Sequence, residues 1–511
     1  MVTDDIDLIA SSITLPNGVV VPNRLVKAAT EEGIGYGGGL PTRRHRRLYQ
    51  RWAEGGWGAI ITGNVQIHPR HLATSHDRTI SSMSDSTIAS YAHLHSTILT
   101  SIPATCSEPL TLMQISHPGL QSSSTLSFCR FPWTRAIAPC AARPDTGDSA
   151  MGWLIGRLAW PLRSRRVDDD DEWLQIVDGF VQAAQITEKA GWRGVQVHSA
   201  HGYLLAEYLS PLTNPNPSPL PGVPWPIPLR LHLLYLILIG IHESSHPRFV
   251  KSVKINCSDF VQGGLDEKQS TELVKEIVSW KLIDILEISG GNYSSPAFAS
   301  LEGISNPTPS RQSLFAHFTT SLLPQLRVPP DGPAILLTGG LHNRDIIASS
   351  LRNRACDLVG IGRPACVKPA LPVDIILNRE IEAEQTGLGS YKIKGGEAMR
   401  YIFGGGRSAT ASTPGKPAVS SYTETGTTLY MSKEGTEGKR GIPLVGAGIS
   451  TTWHEWQLCR IGRGVEPDMD MSWFWGGLIV EGLWWGLLRG GPWRWWTDWI
   501  TEDRLTFGKD S

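Results

Sequence analysis

This sequence has almost no net charge, few cysteines and no apolar leader. Over 511 residues the formal net charge is −1, which gives no electrostatic reason to expect nucleic acid or an anionic membrane as a partner. The 7 cysteines are odd in number and form neither a CxxC pair nor a zinc-ligand spacing, so we expect reduced thiols and no metal site. Residues 1–7 are acidic and lack an apolar core, which predicts no signal peptide and a cytoplasmic protein.

The sequence is rich instead in short apolar segments that are typical of buried β-strands. Hydrophobic residues make up 41% of the chain, which is enough for a sizeable core. Eight such segments occur at 24–29, 59–65, 110–116, 195–200, 253–258, 285–290, 334–339 and 358–362. Helical patterns separate most of them, at 43–54, 168–190, 266–280 and 343–352. Strands and helices alternating in this number predict an α/β fold, a (β/α)8 TIM barrel, which we assign to residues 1–390.

A proline-rich block interrupts the predicted barrel. Eight prolines lie between Pro211 and Pro228, and proline lacks the backbone N–H that a helix interior needs. We therefore expect residues 215–241 to be irregular and one helix to be missing from the outer ring of the barrel. The apolar run that ends this block is too short to span a membrane.

Two segments of unusual composition follow the predicted barrel. Residues 391–450 are rich in glycine, serine and threonine, which is typical of a linker. The tail at 451–511 holds ten of the 19 tryptophans. Because tryptophan favours the membrane interface, peripheral membrane contact is one hypothesis for this tail, and packing against the barrel is the other. We expect the whole C-terminal extension to be loosely structured.

The most informative motif is the end of the fourth predicted strand. The apolar run that begins at residue 194 ends in His198 and His201, and Tyr203 follows at once. In α/β enzymes the chemistry lies at the carboxyl ends of parallel strands, so we expect these side chains to meet there. Two imidazoles can hold one oxygen from two directions, and a phenol beside them can deliver a proton. The alternative is that both histidines only pack in the barrel core.

Polar and glycine residues are also assigned to the carboxyl ends of the other predicted strands or to the positions directly after them. They are Thr30, Asn64, Gln114, Lys254, Gly339, Gly340, Gly362 and Arg363. Loops after the seventh and eighth strands of such barrels commonly bind a phosphate, with glycine amides close to it and a cation behind them. The last four residues match that pattern, with Arg363 as a bidentate donor. The alternative is that the glycines only make turns.

Several motifs resemble the Old Yellow Enzyme family of flavin-dependent ene-reductases, also called NADH:flavin oxidoreductases, and its fungal branch most. The matching stretches are PNRLVKAA at 22–29, WAEGGWG at 52–58, LMQISHPG at 112–119, the run 194–214 and GIGRP at 360–364. The resemblance implies a barrel that binds FMN non-covalently. It also implies an activity, in which the flavin accepts hydride from NADH or NADPH and passes it to the β-carbon of an activated, electrophilic alkene.

The resemblance implies roles for individual residues at the cofactor. Ala28, Ala29 and Thr30 would lie along one edge of the flavin, and Gln114 would hydrogen-bond the pyrimidine part of the ring. Lys254 replaces an arginine that many members carry near N1, where a cation stabilises the reduced flavin. The other cofactor-binding assignments are Asn64 and, at the phosphate, Gly339, Gly340, Gly362 and Arg363.

The resemblance also implies how a substrate would be held. His198 and His201 would bind the carbonyl or nitro oxygen of an unsaturated compound, and Tyr203 would protonate its α-carbon. Two features depart from the family pattern. The sequence after Asn214 differs from the usual continuation, and Glu31 lies near where members often carry a threonine or cysteine that tunes the flavin O4.

Three other functions are compatible with the sequence. A catalytically impaired flavin-binding pseudoenzyme or a membrane-peripheral scaffold fits the irregular block and the tryptophan-rich tail. A metal-dependent hydrolase would use His198 and His201, although no acidic ligand closes another strand convincingly. An aldolase-like barrel would use Lys254 as a Schiff-base lysine. The visible spectrum separates a flavoprotein from the last two, because bound flavin absorbs at about 450 nm.

Overall fold

The computed structural model describes residues 4–35, 37–127, 129, 134–146, 150–167, 170–291, 318–341, 343–388, 393–395 and 443–473. Within them, eight parallel strands, named β1 to β8, form a closed barrel. They are Leu25–Lys27, Ala59–Ile61, Leu110–Ser116, Gly194–Ser199, Val250–Asn256, Ile285–Ser289, Ala334–Thr338 and Leu358–Ile361. Each strand pairs with the next along the chain, and β8 pairs with β1, which closes the ring. The predicted TIM barrel is confirmed.

Helices cover the outside of the barrel. The outer helices, named α1 to α7, are Arg43–Ala53, Asp85–Thr100, Asp170–Lys189, His232–Ser244, Glu267–Ser279, Arg344–Arg352 and Arg363–Val367. Shorter helices occur at Asp5–Ala10, Ser124–Ser127, Ala150–Ala159 and Leu204–Leu209. The short strands are Ile13–Thr14, Val20–Val21, Val65–Gln66, Arg78–Thr79, Ile137–Ala138 and Arg165–Arg166.

Local sequence explains helix α5. Asp266 caps its first turn by accepting a hydrogen bond from the Gln269 amide at 2.8 Å, and the Gln269 side chain accepts one from the Asp266 amide at 3.2 Å. Such a reciprocal capping box satisfies two backbone donors that the helix itself leaves unpaired. Leu273, Val274 and Ile277 then fall on one face at helical spacing and are buried. Capping and periodicity therefore agree on this helix.

The expectation that the proline-rich block leaves a helix missing is wrong. Helix α4 begins at His232, after the last proline, and packs against α3. Its buried residues, at helical spacing, are His232, Leu233, Leu234, Ile237, Leu238 and Ile241. The two helices approach closely at Gly240, where an added Cβ would lie 2.7 Å from Val181 Cγ2. Proline excludes a helix only where it stands, and the apolar run behind it completes the outer ring.

The interior of the barrel is apolar near the amino-terminal ends of the strands and polar towards their carboxyl ends. The apolar part contains Leu15, Val21, Val26, Ala59, Ile61, Leu110, Leu112, Val250, Ile285, Ala334, Leu336 and Leu358. Leu15 and Val21 come from the N-terminal hairpin, which closes this end. Because side chains alternate along a strand, the inward positions farther along β4 to β6 include Gln196, Ser252, Lys254 and Glu287. The open, polar end is therefore where a site can form.

The described part of the C-terminal extension packs against the barrel. Helix α8, Pro443–Gly462, contacts α1 and α7. Trp453 is fully buried, and its indole N–H donates to the Met471 carbonyl at 3.1 Å. No helix among the described residues is long and apolar enough to cross a membrane. Most of the linker-like segment and the tail after Trp473 lie outside the described residues, so membrane contact of the tail stays a prediction. The seven cysteines, which all lie among the described residues, form no disulfide bond with one another.

Candidate active site

The histidine pair and the tyrosine that follow β4 lie together at the carboxyl end of the barrel. The centroid of the His198 ring lies 5.3 Å from that of His201 and 4.5 Å from that of Tyr203. His201 has a positive φ of 60°, a backbone conformation that is uncommon outside glycine. Its amide N–H donates to Asn256 Oδ1 at 3.2 Å, which holds the turn in place. The tertiary structure thus supports an unusual backbone that brings the three side chains together.

Asn64 connects the histidines with the tyrosine. Its Nδ2 donates to the Tyr203 hydroxyl at 3.0 Å, and its Oδ1 lies 2.9 Å from His198 Nδ1. Because an amide oxygen only accepts, this orientation of the amide assigns a proton to His198 Nδ1. His198 Nε2 then accepts from His201 Nδ1 at 3.4 Å, and His201 Nε2 lies 2.8 Å from Ser289 Oγ. One hydrogen-bond chain therefore sets the tautomers of both rings.

Both histidines are neutral at physiological pH. Burial holds the pKa of each imidazole well below its ordinary value, and the positive charge of Lys254 lowers both further. A neutral imidazole can donate one hydrogen bond without bringing a charge. The pair is therefore suited to hold an oxygen that gains negative charge during a reaction, and not to act as a strong acid.

A polar layer crosses the barrel interior directly below the histidines. Gln114 Nε2 donates to Gln196 Oε1 at 2.7 Å, and Gln196 Nε2 donates to Glu287 Oε2 at 2.7 Å. Lys254 Nζ forms an ion pair with Glu287 Oε1 at 2.8 Å. All four side chains are buried. Gln114 and Lys254 were predicted from the sequence, whereas the two residues that join them, Gln196 and Glu287, were not.

The four residues predicted to bind a phosphate lie at the ends of β7 and β8. Gly339 and Gly340 have positive φ angles of 110° and 78°, which glycine adopts readily. Gly362 precedes α7, and a Cβ added to it would meet only Thr30 Cγ2, at 3.6 Å. Arg363 begins α7, and its charge helps burial to lower the pKa of His454 in α8 to about 3. The four predicted residues thus share one edge of the barrel, and a histidine of the C-terminal helix joins them.

The loop after β1 places three residues predicted to bind the cofactor at the carboxyl end of the barrel. It also contains Glu31, which departs from the family pattern. Ala28 is buried, and Thr30 Oγ1 accepts from Lys27 Nζ at 3.1 Å. Ala29 packs beside them, partly buried. Burial and the nearby Glu455 carboxylate of α8 hold the pKa of Glu31 well above its ordinary value. The site therefore contains a carboxyl group that holds its proton more tightly than an exposed glutamate does.

For some residues, the sequence alone gives little indication that they belong to the site. Ser289 is the last residue of β6, and Gln196 precedes His198 by two positions, so strand alternation could have placed both on the inner face. His454 and Glu455 lie in a segment that sequence analysis assigned to the tail. Nothing in their local sequence connects them to the barrel.

Comparison with known proteins identifies the family. A family model described as the NADH:flavin oxidoreductase / NADH oxidase family matches residues 11–219. The NADH-dependent flavin oxidoreductase iliE of Hypocrea jecorina is 33% identical over 401 residues, which cover 76% of this chain and 94% of that protein. The chain belongs to this family. The resemblance found in the sequence is confirmed.

Other relatives agree with the family assignment. The NADH-dependent flavin oxidoreductase iccE of Talaromyces variabilis is 28% identical over 387 residues, which cover 73% of this chain and 87% of that protein. The Old Yellow Enzyme homologue of Zymomonas mobilis has a TM-score of 0.54 at 19% identity, covering 71% of this chain and 91% of that structure. Morphinone reductase in complex with tetrahydroNAD has a TM-score of 0.53 at 18% identity, and the match covers 71% of this chain and 89% of that structure. These solved structures support the barrel fold.

The protein is therefore an oxidoreductase whose cofactors are FMN and NADH or NADPH. The residues at the carboxyl end of the barrel fit FMN. Gly362, which has no side chain, and the guanidinium of Arg363 suit a phosphate. The hydroxyl oxygen of Thr338, at the end of β7, is buried and has no hydrogen-bond partner among the described residues. A buried polar atom of this kind is usually satisfied by a ligand or water.

Proposed function

We propose that this NADH:flavin oxidoreductase reduces the C=C bond of α,β-unsaturated carbonyl or nitro compounds. The observation that carries the proposal is the cluster of His198, His201, Asn64 and Tyr203 at the open end of the barrel. It combines two neutral imidazoles with a phenol whose oxygen accepts a hydrogen bond. An electrophilic alkene needs a held oxygen at one end and a proton at its α-carbon.

When bound, FMN carries hydride from the nicotinamide to the β-carbon of the alkene. In this proposal Gly339, Gly340, Gly362 and Arg363 hold its phosphate, and the Gln114 amide binds its pyrimidine part. Ala28, Ala29 and Thr30 lie along one edge of the ring, beside Lys254. The side-chain amide of Asn64 belongs to the substrate side of the site, because it bonds His198 and Tyr203.

His198 and His201 together position a hydrogen-bond donor for the substrate oxygen. In the tautomers that Asn64 sets, His201 Nδ1–H donates to His198 Nε2 at 3.4 Å, the weak limit of a hydrogen bond, so this N–H can turn to the substrate oxygen at little cost. The N–H of His198 is held by Asn64 Oδ1, which fixes the orientation of the pair. The oxygen becomes more negative as hydride reaches the β-carbon, and hydrogen bonds to it strengthen in a buried site. The histidines therefore contribute to affinity and, more strongly, to rate.

Tyr203 supplies the proton. The Asn64 amide donates to the phenol oxygen at 3.0 Å, so the hydroxyl proton points elsewhere. The same hydrogen bond stabilises the phenolate that remains after the proton has moved to the α-carbon. Tyr203 takes no part in the transfer of hydride from the nicotinamide.

The test measures the rates of the two half-reactions separately, by stopped-flow experiments on the Tyr203→Phe variant. Flavin reduction by NADH or NADPH should stay within about twofold of the wild type, while alkene reduction should slow by about 10²–10⁴-fold. Nitroalkenes should suffer less, because their nitronate product can leave and take its proton from water. Tyr235→Phe, a change in α4 far from the barrel end, is the matched control and should alter neither half. An equal loss in both halves for Tyr203→Phe would mean that the tyrosine is structural.

The structure removes one reason for the alternative of an impaired enzyme. That alternative depended in part on an irregular block at residues 215–241, and helix α4 begins within this block at His232. Purified protein that shows no absorbance at about 450 nm after reconstitution with FMN would overturn the proposed function altogether.

A further inference from the structure

Lys254 and Glu287 form a buried ion pair between neighbouring strands. The register of these strands places the two residues opposite each other. Lys254 on β5 lies directly opposite Glu287 on β6, and His198 on β4 lies directly opposite Lys254. The exposed fractions of the Lys254 and Glu287 side chains are 4% and 0%. The second carboxylate oxygen accepts from Gln196, which accepts in turn from Gln114. Glu287 is thus held from two sides.

Stability alone does not account for this pair. A buried ion pair loses the hydration of both charges, and apolar residues of similar size are often equally or more stabilising. Nearer the amino-terminal ends of the strands the inner face is apolar, with Val250, Ile285 and Ala334. The charges appear only in the layer next to the candidate site. This position points to a functional reason for them.

The Lys254 charge reaches the site above it. It lowers the pKa of His198 and of His201, so the ammonium group lies close enough to act on both rings. Glu287 cancels much of the field of a lone cation, because the opposite charge is only 2.8 Å away.

We infer that Glu287 is a positioning residue for the flavin chemistry, which holds the Lys254 ammonium in place and offsets its charge beneath the ring. This inference rests on the proposed function, in which Lys254 lies beside the flavin. A nearly neutral pair stabilises a negatively charged reduced ring less than a lone cation would. The reduced cofactor then remains a better hydride donor, which suits reduction of an alkene.

The test uses sulfite as a probe on the FMN-loaded protein. Sulfite adds its electron pair to N5 of an oxidised flavin and leaves a negative charge on the ring, so its affinity reports the local charge. Four proteins are compared: the wild type, Glu287→Gln, Lys254→Met and the double variant. Loss of the absorbance at about 450 nm gives the dissociation constant of the adduct in each.

Removal of the carboxylate should tighten sulfite binding, and removal of the ammonium should weaken it, each by about tenfold or more. A unit charge roughly 5–10 Å away, at an effective dielectric constant of about 20, changes an equilibrium by this order. The double variant should return to within about threefold of the wild type. Glu272→Gln, an exposed change in α5, is the control and should have no effect.

The role of Glu287 can be tested even if one of the variants does not fold. If Glu287→Gln alone does not fold, the comparison of Lys254→Met with the double variant still isolates the carboxylate charge, and sulfite should bind the double variant at least about tenfold more tightly. Equal affinities with and without the carboxylate would overturn the role of Glu287. A wild type that never binds flavin would instead refute the proposed function.

Discussion

Replacement of Glu31 by glutamine should stabilise the protein at neutral pH and leave it unchanged in acid. The Glu31 Oε1 atom is buried and has no hydrogen-bond partner among the described residues. Burial is the main cause of its raised pKa, followed by the charges of Glu455 and Asp77, while a hydrogen bond with Thr74 acts in the opposite direction. The folded protein therefore binds a proton at Glu31 more tightly than the unfolded chain does.

The sign of the pH dependence follows from this difference. The stability linked to Glu31 is fully present below the ordinary pKa of 4.5 and is lost as the pH rises through the higher folded value. Each unit of difference between the two pKa values costs about 1.4 kcal/mol at high pH. Glutamine resembles the protonated acid, so Glu31→Gln should avoid this loss.

The assay is thermal unfolding of the apoprotein between pH 4.5 and pH 8. The Tm of Glu31→Gln should match the wild type at the acidic end and exceed it by about 2 °C or more at pH 8. The pKa of Asp77 is also raised, to about 6, and its charge is one cause of the Glu31 shift, so Glu31→Gln removes a repulsion that acts in the same direction at high pH. Glu466→Gln removes an exposed ion pair with Arg51 and serves as control, with little change at any pH. A Tm difference that does not vary with pH would refute the reasoning.

Two further predictions concern the phosphate site and the helix that the sequence did not reveal. Arg363→Ala removes a charge-assisted donor worth about 1.5–3 kcal/mol, so FMN should bind about tenfold more weakly or worse, as measured by titration of the apoprotein. Unchanged affinity would contradict the phosphate assignment. Ile237→Ala in α4 should lower the free energy of unfolding by about 2–5 kcal/mol in a denaturant titration, because it leaves a cavity against α3. Leu236→Ala, at a partly exposed position of the same helix, should cost much less, and equal losses would mean that α4 is not packed as described.

The barrel strands could be predicted because each is a short run of apolar residues that is buried on both faces. For β3 the predicted and observed bounds agree at 110 and 116, while β5 begins three residues earlier than predicted, at Val250. That early start contains Lys251 and Ser252, whose polarity hides a strand from an apolar pattern. Lys251 is nevertheless buried, and its ammonium group donates to the Phe249 carbonyl at 2.9 Å.

Helix α4 shows where sequence reasoning failed. The prolines before Pro228 predicted an irregular segment, whereas the apolar residues that follow them have helical spacing. Proline acts on its own backbone and on the preceding turn, so it does not prevent a helix that begins four residues later at His232. Tertiary contact with α3 then buries the apolar face.

The sequence by itself determined the type of fold and the residues at the strand ends, because strand alternation and the order of motifs are local properties. Only the tertiary structure decided which of those residues touch. The register of β4, β5 and β6 places Lys254 against Glu287 and beneath His198. The packing of α8 brings Glu455 to Glu31 across more than 400 residues of sequence. Such contacts depend on how whole elements pack, and no local pattern encodes them.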